Sequence, residues 1–215
     1  MNTCVRGPVV SFVTLAALCL ASASIASPPS GANSTTPACI SLVGHTDAAP
    51  ARAIGEFTVI IRDLANTPMP GAEVSIDLSL CTDLRLAADQ LDPAALVDCV
   101  LHKVTKFTAA DGSVKFTVLG GSNGAGNATG LVGVGKIYWG RVLIGSPTVS
   151  AYDLDDASGL GANDLSAWLT DFGSGFQFGR CDYDCSGGLG ANDLSFWLVA
   201  YGSGLMAESS TPDCP

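Results

Sequence analysis

Between residues 57 and 153 the chain alternates apolar and polar positions with the two-residue period of β-strands. In AEVSIDLSL, for example, Val74, Ile76 and Leu78 share one face. Pro and Gly stand where turns need them in NTPMPG at 66–71, and a second turn carries Asp111–Gly112. Short strands are therefore predicted in FTVIIRD (57–63), AEVSIDLSL (72–80), KVTKFT and SVKFTVLG (103–120), and KIYWG and RVLIGSPTVSAYD (136–153).

Residues 81–99, CTDLRLAADQLDPAALVDC, interrupt this pattern, and we expect an excursion there, partly helical. The remaining short strands, with no long helical pattern between them, predict a β-sandwich of immunoglobulin type over residues 40–150. The phrases VIIRDLANTPMPGAEVSID and FTAADGSVKFTVLG resemble the bacterial immunoglobulin-like domains of invasin-type surface proteins. Carboxypeptidase-regulatory-like and fibronectin-like sandwiches share the same turn pattern. Such a resemblance implies a spacer or binding module.

After residue 153 the apolar period changes from two residues to that of a helix. Two stripes with the spacing i, i+3, i+4, i+7 end at glycines: Leu165, Trp168, Leu169 and Phe172, and then Leu194, Trp197, Leu198 and Tyr201. They predict two short amphipathic helices, and we expect the two stripes to bury each other.

Both helices follow a repeated heptapeptide, LGANDLS, at Leu160–Ser166 and Leu189–Ser195. The repeat extends further, because residues 153–175 and 182–204 are identical at 15 of 23 aligned positions with a period of 29 residues. Internal repetition of this kind predicts two structural units with the same local fold.

The second copy has the spacing of a calcium-binding loop. Asp182, Asp184 and Asp193 stand at loop positions 1, 3 and 12, Ser186 stands at position 5, and the carbonyl of Gly188 at position 7 supplies a further oxygen. Gly187 at position 6 permits the sharp bend. These residues predict one strong calcium site.

The first copy keeps Asp153, Asp155 and Asp164 and the carbonyl of Gly159, which predict a second calcium site. Ala157 and Ser158 stand where an oxygen ligand and a glycine are expected, so this site should be the weaker one. An alternative reading is two solvated turns in which the aspartates cap helices, but two copies in register favour calcium.

A tandem of calcium loop and single helix near the C-terminus resembles the dockerin family, type I-like, over residues 151–205. The resemblance implies two bound calcium ions and docking to a cohesin-like or other extracellular or cell-surface protein, as in extracellular polysaccharide-degrading assemblies. The expected fold class is a mainly β immunoglobulin-like sandwich followed by a small α-helical dockerin-like module with two EF-hand-type calcium loops. The expected boundaries are 1–26 for a signal peptide, 27–39 for a linker, 40–150 for the immunoglobulin-like sandwich, 151–205 for the dockerin-like calcium-binding repeats, and 206–215 for a C-terminal tail.

The N-terminus predicts export. A positively charged start, an apolar run at 9–20 and small residues at the end of 1–26 are typical of a bacterial secretory signal peptide. Its removal leaves six cysteines, which in an oxidising compartment predict disulfides. Cys81–Cys99 is the favoured pair, whereas Cys181 and Cys185 are expected to pair with each other or with Cys214.

The charge is uneven. Residues 151–215 hold ten acidic residues and a single basic one, Arg180. Such a segment repels nucleic acid and attracts hard cations. No segment after the signal peptide is long and apolar enough for a transmembrane helix.

No catalytic residues are predicted. The two histidines, His45 and His102, have no metal-binding or nucleophile-activating spacing, and no pair of carboxylates is marked for glycosidase chemistry. The sequence predicts a secreted, non-catalytic calcium-binding protein that docks to a partner. Two alternatives stay open: a surface adhesion or structural protein in which calcium only stabilises the tail, and an accessory subunit of a carbohydrate-active enzyme.

Overall fold

The structure, a computed structural model, describes residues 27–44, 54–90, 92–122, 134–155, 159–174, 179–202 and 214. The predicted signal peptide, His45, Ala157, Ser158 and most of the predicted tail lie outside the described residues.

The described residues form eleven strands, two α-helices and one 3-10 turn. The strands are β1 (Cys39–Leu42), β2 (Glu56–Ile60), β3 (Glu73–Asp77), β4 (Leu84–Leu86), β5 (Leu96–Asp98), β6 (Lys103–Phe107), β7 (Ser113–Thr117), β8 (Gly120–Ser122), β9 (Lys136–Trp139), β10 (Val142–Gly145) and β11 (Thr148–Ala151). The helices are α1 (Ala162–Gly173) and α2 (Ala191–Gly202), and the 3-10 turn is Gly179–Cys181.

One layer is a five-stranded antiparallel sheet in the order β10-β9-β3-β6-β5. Val74, Ile76 and the following Leu78 are buried in the apolar core, as the sequence pattern predicted, and Ser75 and Asp77 between them are buried as well. Ile76 lies opposite Val104 of β6 and Ile137 of β9, so each strand contributes an apolar side chain at the same level. Burying such a side chain contributes roughly 1.5–3 kcal/mol.

The opposite layer is assembled from shorter pairings. β1 pairs in parallel with β11, β2 pairs with β7, and a bridge between Val43 and Leu119 connects the end of β1 to the chain after β7. Ile40 of β1 and Phe116 of β7 belong to the same apolar cluster as Ile76 of the five-stranded sheet. The described strands therefore fit a β-sandwich, the coarser part of the prediction. The expected partly helical excursion at 81–99 instead contains two strands, β4 and β5.

The prediction of a separate α-helical module with two EF-hand-type loops is wrong. Each acidic loop has the single C-terminal helix that the sequence predicted, with β11 before the first loop and the 3-10 turn before the second, but the two helices share an apolar cluster with the sandwich and form no module of their own. Trp168 and Trp197, 2% and 1% exposed, belong to a second apolar cluster that also contains Val43 and Leu119 of the sandwich. Two helices of 12 residues offer too little apolar surface to bury two indoles, so the indoles are covered partly by the sandwich.

The inner residues of the two helical stripes share one apolar cluster, as predicted, but the outer residues do not take part in it. Leu169, Phe172, Leu198 and Tyr201 are each about half exposed. Within each helix only one aromatic of the stripe is buried, and the half-exposed ring stacks on it: Trp168 with Phe172 and Trp197 with Tyr201, both with centroids 5.3 Å apart. The outer turns of both helices therefore present apolar side chains to the surroundings.

The disulfide prediction is correct in kind and wrong in connectivity. Cys39 is bonded to Cys185 and Cys99 to Cys214, with Cα–Cα distances of 5.9 and 4.8 Å. Cys81 and Cys181 are buried free thiols. The favoured pairing Cys81–Cys99 assumed a local loop, but both bonds join the C-terminal region to the sandwich across more than 100 residues.

Candidate metal centre

The second acidic loop brings three carboxylates together. Asp182 follows the 3-10 turn, Asp184 lies two residues later, and Asp193 is in the first turn of α2. One oxygen from each lies within 4.8 Å of the others. Asp182 and Asp193 are buried and Asp184 is partly exposed. Three convergent carboxylates at this spacing match the requirements of a hard divalent cation.

Backbone amides hold these carboxylates in place. Tyr183 N and Gly190 N donate to the two oxygens of Asp193, each at 2.8 Å. The amides of Ser186 and Gly187 donate to the two oxygens of Asp182 at 3.0 and 2.9 Å. Since an ionised carboxylate has about four acceptor sites, these hydrogen bonds leave capacity for a cation on each group.

The other two predicted ligands of this loop, Ser186 and Gly188, are in contact with each other. Ser186 Oγ donates to the carbonyl oxygen of Gly188 at 3.1 Å. The bend is made where the sequence placed it, because Gly187 has φ 82°, in the left-handed region that favours glycine. Asn192, which is not among the predicted ligands, donates from Nδ2 to Asp184 Oδ2 at 3.3 Å.

The first acidic loop repeats this arrangement. One oxygen from each of Asp153, Asp155 and Asp164 lies within 4.8 Å of the others. Asp164 accepts hydrogen bonds from Leu154 N and Gly161 N, both at 2.7 Å, which correspond to the amides that hold Asp193. The carbonyl oxygen predicted as a ligand of this site belongs to Gly159, which has φ 85°. The closing aspartates of the two triads, Asp164 and Asp193, are thus held by equivalent backbone amides.

The carboxylates of the triads differ in the direction of their pKa shifts. Burial raises the pKa of Asp164, and the negative charge of Asp155 adds to this rise. The pKa of Asp182 is likewise raised by burial and then by Asp193. In contrast, the hydrogen bond from Ser186 lowers the pKa of the solvent-exposed Asp184. A bound cation would favour the ionised form of every one of these groups.

The only basic residue of this region is engaged elsewhere. Arg180 Nε and Nη2 donate to the two carboxylate oxygens of Asp171 in α1 at 2.7 and 2.8 Å, and both side chains are nearly fully buried. Arg180 Nη1 donates to Ser122 Oγ of β8 at 3.1 Å. Through Asp171 and Ser122, Arg180 connects α1 with the sandwich.

Aromatic side chains connect the two loops. The rings of Tyr152 and Tyr183, next to Asp153 and Asp182 in the chain, are stacked with centroids 4.6 Å apart. Tyr183 Oη donates to the carbonyl of Ala151 at 3.0 Å, and Trp197 Nε1 donates to the carbonyl of Tyr152 at 3.1 Å. The loops therefore share one buried support. These tyrosines could not be found from the sequence, because an aromatic residue beside an aspartate carries no metal-binding signal.

No family model, curated protein or solved structure matches the chain. Within the described residues, neither helix is long and apolar enough to cross a membrane.

Proposed function

We propose that this protein is a secreted, non-catalytic calcium-binding protein that holds one cation in each acidic triad and docks to another extracellular protein. The observation that carries the proposal is the convergence of three carboxylate oxygens within 4.8 Å at two equivalent places of one chain. Each set is built on a loop and the first turn of a helix, and both are held by equivalent backbone amides.

The donor chemistry favours calcium over transition metals. The triads and their neighbouring candidates offer carboxylate, carbonyl and hydroxyl oxygens, which are the ligands of hard cations. Zinc and copper sites are usually built from imidazole and thiolate. Partial exposure of Asp155 and Asp184 also leaves room for water molecules, which calcium accepts in its six to eight oxygen ligands.

The docking part of the proposal is supported by the outer faces of α1 and α2. Leu169, Phe172, Leu198 and Tyr201 are about half exposed, and the repeat places them at equivalent positions of the two helices. Because the surrounding segment has ten acidic residues and one basic residue, which is buried, the fitting partner has an apolar surface bordered by basic side chains. The dockerin resemblance makes a cohesin-like domain the first candidate.

Calorimetric titration of the full chain with CaCl₂ after treatment with a chelator tests the cation sites. We expect two calcium ions per chain and weaker binding of MgCl₂. Asp184→Asn should weaken one of the two sites, whereas Glu73→Gln, which removes an exposed carboxylate from β3, should change neither. A titration without calcium-dependent heat in a folded wild-type chain would contradict the proposal.

Docking is tested by surface plasmon resonance with a purified cohesin domain in CaCl₂ and in chelator. We expect binding in calcium that is lost in the variant Leu169→Asp/Leu198→Asp and retained in Leu64→Asp, another exposed leucine on the sandwich. Absence of binding by a calcium-loaded wild-type chain would contradict docking to cohesin and favour a role in which calcium only stabilises the fold.

A further inference from the structure

One disulfide is built into the second acidic loop. Cys185 lies between the predicted ligands Asp184 and Ser186, and it is bonded to Cys39, 146 residues earlier in the chain. The other bond, Cys99–Cys214, joins two residues outside both acidic loops.

The distant end of this bond lies on a fixed strand. Cys39 is the first residue of β1 and pairs with Thr148 of β11. The next residue, Ile40, is 1% exposed in the sandwich core, and Ser41 Oγ lies 2.9 Å from Ser150 Oγ across the same strand pair. The disulfide therefore attaches the loop to a part of the sandwich that cannot move independently of the core.

The near end of the bond fixes an unusual backbone conformation. Cys185 has φ 55°, in the left-handed region that residues with a side chain rarely adopt. The following amide, Ser186 N, donates to Asp182 Oδ1 and to Asp184 Oδ1, both at 3.0 Å. The conformation at Cys185 thus sets the direction of the amide that holds two of the three carboxylates together.

The first loop has no such bond. Twenty-nine residues before Cys185 the sequence has Asp156, so the cross-link is a property of one copy alone. The chain therefore contains one acidic loop that is cross-linked to the sandwich by a disulfide and one that is not.

We propose that the Cys39–Cys185 disulfide is a redox control of the second cation site, which rests on the calcium binding proposed above. With the bond intact, the loop is held with its carboxylates converged, and calcium binds tightly. A dithiol reductant breaks the Sγ–Sγ bond by thiol–disulfide exchange: its two thiols are oxidised to a disulfide, and two electrons and two protons pass to Cys39 and Cys185. The freed loop relaxes and binds calcium more weakly.

Coupling of this kind is reciprocal. If the disulfide raises the affinity for calcium by some factor, calcium must shift the thiol–disulfide equilibrium toward the disulfide by the same factor. The bound cation therefore protects the bond that supports its own site.

The first experiment is calcium titration calorimetry of the full oxidised chain, the variant Cys39→Ser/Cys185→Ser, and the matched control Cys99→Ser/Cys214→Ser. We expect the dissociation constant of one site to rise by about fivefold or more in the first variant and neither site to change in the control. Unchanged affinity in the first variant, or an equal loss in both variants, would overturn the redox control. A folded wild-type chain that binds no calcium would instead refute the proposed function.

A second measurement needs no substitution. The wild-type chain is equilibrated with graded dithiothreitol in CaCl₂ or chelator, free thiols are alkylated, and each cysteine pair is quantified by mass spectrometry. We expect calcium to raise the reductant concentration needed to open Cys39–Cys185 and to leave Cys99–Cys214 unchanged. Equal behaviour of the two bonds would overturn the inference.

Discussion

The innermost side chains of the sandwich and of the C-terminal repeats are similarly buried, but they differ in chemical type. The sandwich core is almost wholly aliphatic and aromatic. The repeats instead bury a series of charged residues, each at most 4% exposed: Asp153, Asp164, Asp171, Arg180, Asp182 and Asp193. Apolar burial is favourable in any aqueous buffer, whereas a buried carboxylate needs a counter-charge. We infer that the stability of the repeats depends on cations more strongly than that of the sandwich, where Asp83 is the one fully buried carboxylate among the described residues.

The largest expected difference in unfolding free energy between the two regions comes from the buried ion pair Arg180–Asp171. Arg180→Ala leaves the Asp171 carboxylate buried without its cationic partner, which typically costs about 3–5 kcal/mol of unfolding free energy. The sandwich control is Lys115→Ala, whose partner Glu56 forms an exposed pair and whose loss should cost less than about 1 kcal/mol. Urea denaturation measures both, and equal losses would remove the distinction between the two regions.

A second difference lies between the two acidic loops. In calcium, we expect Asp193→Ala to lower helix content and unfolding free energy more than Asp164→Ala, because only the second loop has Gly187 and the disulfide to Cys39. Each substitution removes a carboxylate that accepts hydrogen bonds from backbone amides, so a cost of about 1–3 kcal/mol is expected for both even without metal. Circular dichroism with urea compares the variants, and equal losses in calcium would contradict the ranking.

Alkaline pH should act through the tyrosines between the loops. Burial raises the pKa of Tyr152 to about 12 and places the pKa of Tyr183 well above its usual value. The neutral tyrosines therefore contribute fully to the free energy of unfolding below pH 10, which is near the pKa of tyrosine in the unfolded chain. This contribution is lost as the pH rises toward 12, and for Tyr152 the loss by pH 11 is on the order of 1 kcal/mol. Urea denaturation between pH 8 and 11 measures the loss. If the unfolding free energy of a Tyr152→Phe/Tyr183→Phe variant falls with pH in the same way, the loss belongs to other groups.

The smallest expected difference concerns the two indoles. Trp197 Nε1 donates to Tyr152 O, whereas Trp168 Nε1 is buried without a hydrogen-bond partner in the described part of the chain. Trp197→Phe should therefore cost about 1 kcal/mol more than Trp168→Phe. Chemical denaturation of the two variants decides this, and a larger loss for Trp168→Phe would contradict the assignment.

The sequence was most informative where a pattern is local. The alternation of Val74, Ile76 and Leu78 predicted their shared burial, because side-chain direction in a strand depends only on position along it. The same holds for Asp182, Asp184 and Asp193, since the curvature of a short loop brings them together. Their convergence was predictable, although the cation remains a proposal.

Long-range relations could not be read from the sequence. The pairings Cys39–Cys185 and Cys99–Cys214 depend on which strands are neighbours, and six cysteines allow 15 connectivities. The helical stripes predicted mutual burial because periodicity shows that a face is apolar but not what covers it. That Trp168 and Trp197 would share a cluster with Val43 of the sandwich is a tertiary property.

Native-state hydrogen exchange of the full chain in CaCl₂ and in chelator tests the central claim most directly. We predict that calcium strongly slows exchange of the amides that hold the triads, namely those of Leu154, Gly161, Tyr183, Ser186, Gly187 and Gly190, while the amides of β3 and β6 change little. Exchange that is the same in both buffers, or slowed equally in the sandwich and the repeats, would contradict a cation-dependent C-terminal region.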